Sequence, residues 1–175
     1  MKVGFIGLGN VGGKLAGSLL RNGMDLSVHD LNDSFVADFV SRGAKDGSSP
    51  AQLMQDCDAV ITCLPSPAAC DAVVSEMLPH VGPGKIWMEM STTDASEVKR
   101  LGALVLAAGG EAVDCPVSGG CHRADTGNIS IYAGCTRATF ERDLSWLPDP
   151  SRMLKPRLTS IDEEVSQLAV AGAKE

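Results

Sequence analysis

Lys2-Val3-Gly4-Phe5-Ile6-Gly7-Leu8-Gly9-Asn10-Val11-Gly12 is the stretch that decides the fold of this chain. Lys2–Ile6 is a short apolar run and predicts a buried strand, which the glycines after it break. Val11, Leu15 and Leu19 then recur at helical spacing, so a helix is expected over 11–22. The glycines between strand and helix fall as G-x-G-x-x-G, and in that setting each has its own use. Gly7 permits the tight turn, Gly9 lets backbone approach a pyrophosphate, and Gly12 lets helix and strand pack closely. Leu8, Asn10 and Val11 complete the loop as cofactor-binding candidates. The helix start adds unsatisfied N–H groups and the positive end of its dipole for the phosphates. The competing meaning is a structural turn in some other α/β protein. A nucleoside-triphosphate P-loop is excluded, because Gly13-Lys14 is followed by Leu15 rather than Ser or Thr.

Working outward, Asp30 closes a second strand over 26–30, 18 residues past Gly12. A carboxylate there accepts hydrogen bonds from the adenosine ribose hydroxyls and repels a 2′-phosphate. No arginine follows until Arg42, so the pattern selects NAD over NADP. The other reading is a solvated aspartate at a strand end. His29 is expected on the opposite face of the strand, and no role is assigned to it.

Further strands are expected at 44–45, 59–64, 85–90, 111–115 and 129–133, with helices over 33–42, 50–55, 69–78, 95–108 and 137–147. Such alternation predicts an α/β protein with a doubly wound, mostly parallel Rossmann sheet covered on both faces. Residues 1–147 form that dinucleotide-binding domain. Residues 148–175 read as a tail broken by Pro148, Pro150 and Pro156. Ser160 and Glu163 make an S-x-x-E capping box, which predicts a final short helix over 161–171.

At 175 residues the chain suits one domain with a sizeable core. A net charge of −7 argues against nucleic acid or an anionic membrane surface as the main partner. No apolar run reaches the 18 residues expected of a membrane span, and the N-terminus enters a strand directly, without a signal-peptide pattern. None of the six cysteines forms a C-x-x-C pair, so no metal site is expected. They read as reduced thiols in a cytoplasmic protein.

Three more segments carry a family pattern. Leu64-Pro65 closes the fourth strand, Glu89-Met90-Ser91-Thr92 the fifth, and Asp114-Cys115-Pro116-Val117-Ser118-Gly119-Gly120 follows the sixth. With the opening G-L-G-N-V-G, these make residues 1–147 resemble the β-hydroxyacid dehydrogenases, the family of 3-hydroxyisobutyrate dehydrogenase. The resemblance implies NAD-dependent oxidation of a small β-hydroxy acid to its semialdehyde. It implies that Leu64 and Pro65 line the cofactor cleft and that Thr92 lies near the nicotinamide ribose. Ser118, Gly119 and Gly120 would hold the substrate carboxylate, and Gly-Gly backbone suits an anion-binding concavity.

Departures accompany the likeness. Glu89 stands where aspartate is more usual, and Cys115 and Cys135 replace small residues. Arg123 reads either as an exposed loop arginine or as a contact to an anionic substrate, and His122 either as a solvated loop residue or as a pocket histidine that titrates near neutral pH. The all-α second domain of the family is absent from these residues, and so is its G-x-x-x-K-x-x-x-N-like segment, which carries the acid–base lysine. Lys155 precedes Pro156, and Lys174 stands one residue from the end. The expectation is therefore a truncated dehydrogenase, with a catalytically incompetent NAD(H)-binding module as the alternative. Apolar surface normally covered by the helical domain would drive homo-oligomer formation or be covered by the 161–171 helix. Short-chain dehydrogenase chemistry fails for want of Tyr-x-x-x-Lys, since Tyr132 is followed four residues on by Thr136.

Overall fold

A computed structural model describes residues 1–137, 139, 156–159 and 166–170. The chain begins with β1 (Lys2–Ile6), α1 (Gly12–Arg21), β2 (Asp25–His29), α2 (Asp33–Ser41), β3 (Lys45–Asp46) and α3 (Pro50–Asp56). It continues with β4 (Ala59–Thr62), α4 (Pro67–Met77), a 3₁₀ turn (Leu78–His80), β5 (Ile86–Glu89) and α5 (Ala95–Ala107). Then come β6 (Glu111–Asp114), β7 (Val117–Ser118), α6 (Gly120–Thr126) and β8 (Ser130–Cys135), followed by β9 (Pro156–Thr159) and β10 (Ser166–Val170).

The helices start where the local chemistry lets them. Asn32, Ser49, Ser66 and Asp94 each accept a backbone N–H of the first turn of α2, α3, α4 and α5. Pro50 and Pro67 stand at first helical positions, where a missing N–H costs nothing.

The strands lie in the order β3-β2-β1-β4-β5-β6-β8-β10-β9, and β7 pairs with β8. From β3 to β6 all pairings are parallel, as the sequence predicts. β8 runs antiparallel to β6, β7 and β10. β1 is flanked by β2 and β4, so connections leave it in opposite directions and open a crevice at its carboxyl end. Alternate residues feed two cores. Val3, Phe5, Val28, Ile61 and Met88 pack under α1 and α2, with Leu15, Leu19 and Phe39. Ile6, Val60 and Trp87 pack under α3, α4 and α5, with Leu53, Val74 and Leu101.

Two features differ from the expected pattern. β7 and α6 occupy a stretch read as loop, because Val117 and Ser118 find partners in Ile131 and Ser130 of β8. Where the capping box predicts a helix over 161–171, residues 166–170 are instead a strand on the open edge of β8. A capping box favours a helix start but cannot outweigh ladder hydrogen bonds offered by an unpaired edge. The helix expected over 137–147 and the proline break at Pro148 and Pro150 lie outside the described residues, apart from positions 137 and 139.

Candidate functional site: a dinucleotide cleft

The glycine loop is held from below. The Gly7 N–H donates to the His29 carbonyl at 3.0 Å, tying the end of β1 to β2. Gly7 has φ of +97°, and a Cβ there would lie 2.3 Å from the Cys63 carbonyl oxygen, so only glycine fits. A Cβ on Gly12 would lie 2.0 Å from the Gly7 oxygen, which is the close helix-to-loop approach expected of it. Gly9 is different, for a Cβ there would meet nothing within 4 Å. The protein's own packing does not require that glycine; a ligand pressed against the backbone would. The start of α1 agrees, since its N-cap Val11 supplies no side-chain hydrogen bond and no acid sits in its first turn. The Gly13 and Lys14 N–H groups already bond to the Gly9 and Val11 carbonyls at 2.8 and 3.0 Å, which leaves an anion the loop N–H groups ahead of them and the positive end of the helix dipole.

Both oxygens of Asp30 are engaged by backbone. Oδ2 accepts the Leu8 N–H at 2.6 Å and Oδ1 accepts the Asn32 N–H at 2.8 Å. Each oxygen keeps a second acceptor site for a ribose hydroxyl. Leu8 itself is buried in the core and contributes only its backbone. Arg42, the nearest downstream cation in sequence, pairs with Asp38 at 3.0 Å and lies over the Phe39 ring.

One cavity of about 660 Å³ collects these groups. Gly7, Gly9, Asn10, Val11, Gly12 and Asp30 line it, and so do Leu64, Pro65 and Thr92. Ser118, Gly119 and Gly120 are not among its lining residues; they stand exposed beyond Val117, which is. Gly119 and Gly120 adopt φ of +129° and +75°, and the Arg123 side chain lies over Gly119. His122 and Arg123 are exposed on α6. The sequence reading missed a stripe of α4, namely Ala69, Ala72, Val73 and Glu76, which also faces the cavity. Its i, i+3, i+4, i+7 spacing was the available signal. His29, given no role, is a lining residue too, as are Phe35 and the almost fully exposed Leu31.

Behind the β4 and β5 end of the cleft sits a buried polar network. Glu89 is 0% exposed; its Oε1 accepts the Ser91 N–H at 2.6 Å and its Oε2 the Thr62 hydroxyl at 2.8 Å. Thr62 in turn accepts the Trp87 indole N–H at 3.0 Å, and the Ser91 hydroxyl accepts the Leu64 N–H at 2.7 Å. Burial, reinforced by Glu89, pushes the Cys63 thiol up to about 11 and Cys70 up to about 12. Burial and then Glu89 also raise Asp114, which pairs in register with Glu89 across β5 and β6. Among the described residues no cluster of three or more His, Cys, Asp or Glu could hold a metal, and no helix is long and apolar enough to cross a membrane.

Comparison with known proteins gives the same picture. The family model for the NAD-binding domain of 6-phosphogluconate dehydrogenase matches residues 2–153. The human cytokine-like nuclear factor N-PAC is 32% identical over 143 residues, covering 80% of this chain and 26% of its own length. Glyoxylate/succinic semialdehyde reductase 1 of Arabidopsis thaliana is 33% identical over 147 residues, covering 82% and 51%. The crystal structure of a 3-hydroxyisobutyrate dehydrogenase from Salmonella typhimurium superposes with a TM-score of 0.76 at 28% identity, over 81% of this chain and 50% of that one. The chain thus spans between about a quarter and a half of the length of these proteins.

Proposed function

The chain belongs to the family of NAD-binding domains found in 6-phosphogluconate dehydrogenase and the 3-hydroxyisobutyrate dehydrogenases, and from that premise we propose that it holds NAD for the oxidation of a small β-hydroxy acid to its semialdehyde. The observation that carries the reading is the cleft itself. Its floor is a bare-backbone loop with open space over Gly9, and Asp30 and Thr92 line the same cavity.

Bound in that cleft, NAD supplies the hydride acceptor. The chain's own part is to bind and orient. Gly7–Gly12 and the uncapped start of α1 take the pyrophosphate, and the remaining acceptor sites of Asp30 take the ribose diol. Leu64, Pro65 and Thr92 lie along the nicotinamide side of the cleft. Ser118 and the Gly119-Gly120 backbone, just beyond Val117, receive the substrate carboxylate. NAD is preferred to NADP, because Asp30 opposes a 2′-phosphate while Arg42 is occupied by Asp38 and Phe39.

The 175 residues carry no lysine in the setting the dehydrogenases use, and general acid–base help is typically worth about 10²–10⁴-fold in rate. Turnover by this chain alone is therefore expected to be very low. A second reading, an NAD(H)-binding module without turnover, is favoured by a relative that bears the name of a nuclear factor rather than an oxidoreductase. Calorimetric titration with NAD+ and NADP+ tests the binding role. Spectrophotometric assay of NADH formation from 3-hydroxyisobutyrate, glycerate and γ-hydroxybutyrate separates the readings. Robust turnover would refute the module and also the requirement for a lysine outside these residues. Absence of NAD binding would refute both readings.

A further inference from the structure

We propose that Glu76 is the residue by which the cleft selects adenine as the base of its dinucleotide, accepting a hydrogen bond from the 6-amino group. The inference rests on the cofactor placement given above, in which the ribose diol meets Asp30 and the nicotinamide lies by Leu64, Pro65 and Thr92. It concerns the part of the cavity that neither group fills.

That part is an apolar slot. Leu31 follows Asp30 directly, and both it and Phe35 line the cavity while standing 98% and 41% exposed. Side chains so placed have an apolar face with little of the chain to cover it. The other side of the slot is α4, which covers the opposite face of the sheet from α2. Ala69, Ala72 and Val73 present small apolar side chains in one stripe, a smooth wall for a flat ring, and Glu76 ends the stripe. The stripe begins just after Pro65 and runs about 10 Å along the helix axis to Glu76. Its far end leads away from the nicotinamide side toward Pro50, which also lines the cavity and opens α3, the helix that follows β3 and packs on α4.

Few polar side chains reach this slot. Asp30 is committed to the Leu8 and Asn32 N–H groups and to the ribose. His29 lines the cavity too, but an imidazole donates or accepts according to its tautomer and so suits any base. Glu76 is different. Of the two acids on α4, Asp71 is paired with Arg100 of α5, whereas Glu76 has no ion pair or hydrogen bond among the described residues. A carboxylate offers acceptors and no donor. Adenine carries a donor in its 6-amino group, where hypoxanthine carries a carbonyl acceptor. A carboxylate at the end of the slot therefore attracts the first base and repels the 6-position of the second.

The test compares dissociation constants of NAD+ and nicotinamide hypoxanthine dinucleotide, which differs from it only in the base, for the wild type, Glu76→Gln and Ala72→Trp. The wild type should bind NAD+ about tenfold more tightly, the order expected of one hydrogen bond to a charged group. A glutamine can accept from the 6-amino group through its oxygen or donate to the 6-carbonyl through its NH₂. Glu76→Gln should therefore bring the two dinucleotides within about twofold of each other, mainly by gaining affinity for the hypoxanthine form. A residue that merely supports α4, or acts on the phosphates through its charge, would change both alike. Equal binding of the two by the wild type, or an unchanged ratio in Glu76→Gln, overturns the proposal. Ala72→Trp fills the slot from an exposed position, so both affinities should fall about tenfold or more with little change in melting temperature. Unchanged NAD+ affinity in that variant would overturn the placement of the base against α4, and failure of the wild type to bind NAD+ would overturn the cofactor reading itself.

Discussion

The Leu8 N–H and the Asp30 carboxylate, 22 residues apart in the chain, meet at 2.6 Å across the ends of β1 and β2. The aspartate is thus part of the wall that shapes the glycine loop as well as a contact for ribose. Asp30→Ala is expected to weaken NAD binding by about 1–3 kcal/mol, the range for a lost charge-assisted hydrogen bond. Asp30→Asn, which can still accept the Leu8 N–H, should lose less NAD affinity and should narrow the gap between NAD and NADP. Calorimetry on the two variants checks this, and equal NAD and NADP affinity in the wild type would contradict it.

Gly7 and Gly9 should fail differently. Gly7→Ala forces a Cβ onto the Cys63 carbonyl at positive φ, so it should lower stability by at least about 1–3 kcal/mol, read by chemical denaturation. Gly9→Ala meets no atom and should leave the denaturation midpoint unchanged, yet weaken NAD about tenfold or more by filling the space over the loop. A Gly9→Ala protein that binds NAD normally would remove the main support for close pyrophosphate approach.

Ser118→Ala tests the substrate end. NAD affinity should be unaffected, because Ser118 is not among the residues lining the cavity. Binding of a small hydroxy acid to the NAD-loaded domain should weaken by about 1.5–3 kcal/mol, the value of a hydrogen bond to a charged group. The reverse outcome, weaker NAD and unchanged acid, would move Ser118 into the cofactor site.

Asp114 gives a pH prediction. Its folded-state value is raised, first by burial and then by Glu89. An acid raised on folding contributes stability that is fully present below its unfolded value, near 3.8, and lost as pH rises through the folded value. Asp114→Asn should therefore melt higher than the wild type at pH 7, on the order of 2–4 °C, with the difference shrinking as pH falls toward 4. Melting curves at several pH values that show a constant difference would argue against this origin.

Much of this could be read from the chain because its signals are local. The G-x-G-x-x-G loop, the helical spacing of Val11, Leu15 and Leu19, and the apolar runs of β1, β4 and β5 each depend on a few neighbouring residues. Asp30 could be found by its offset from Gly12 alone. What escaped depends on distant partners. Val117 and Ser118 are a strand only because β8 lies beside them, and 166–170 pairs with β8 despite a capping box upstream. In sequence Glu89 reads only as a departure from the more usual aspartate. Its place in the buried network comes from Thr62, 27 residues away, to which it is hydrogen-bonded.

The packing of α6 on α1 has a consequence for synthesis. Ala124 of α6 joins the same buried cluster as Leu15 and Ala16, and Arg21 bonds to Asp125, 104 residues on. α1 leaves the ribosome well before α6 does, so the face it shares with α6 waits uncovered until that later segment is made. Contacts between such distant segments form slowly, since the intervening loop must close first. A nascent chain stalled before residue 120 should leave α1 sensitive to protease, and one extended past residue 135 should protect it. Equal protection at both lengths would mean that β2 and α2 suffice to seat the first helix. If the later segments are needed, a partly made domain should be unable to trap the dinucleotide.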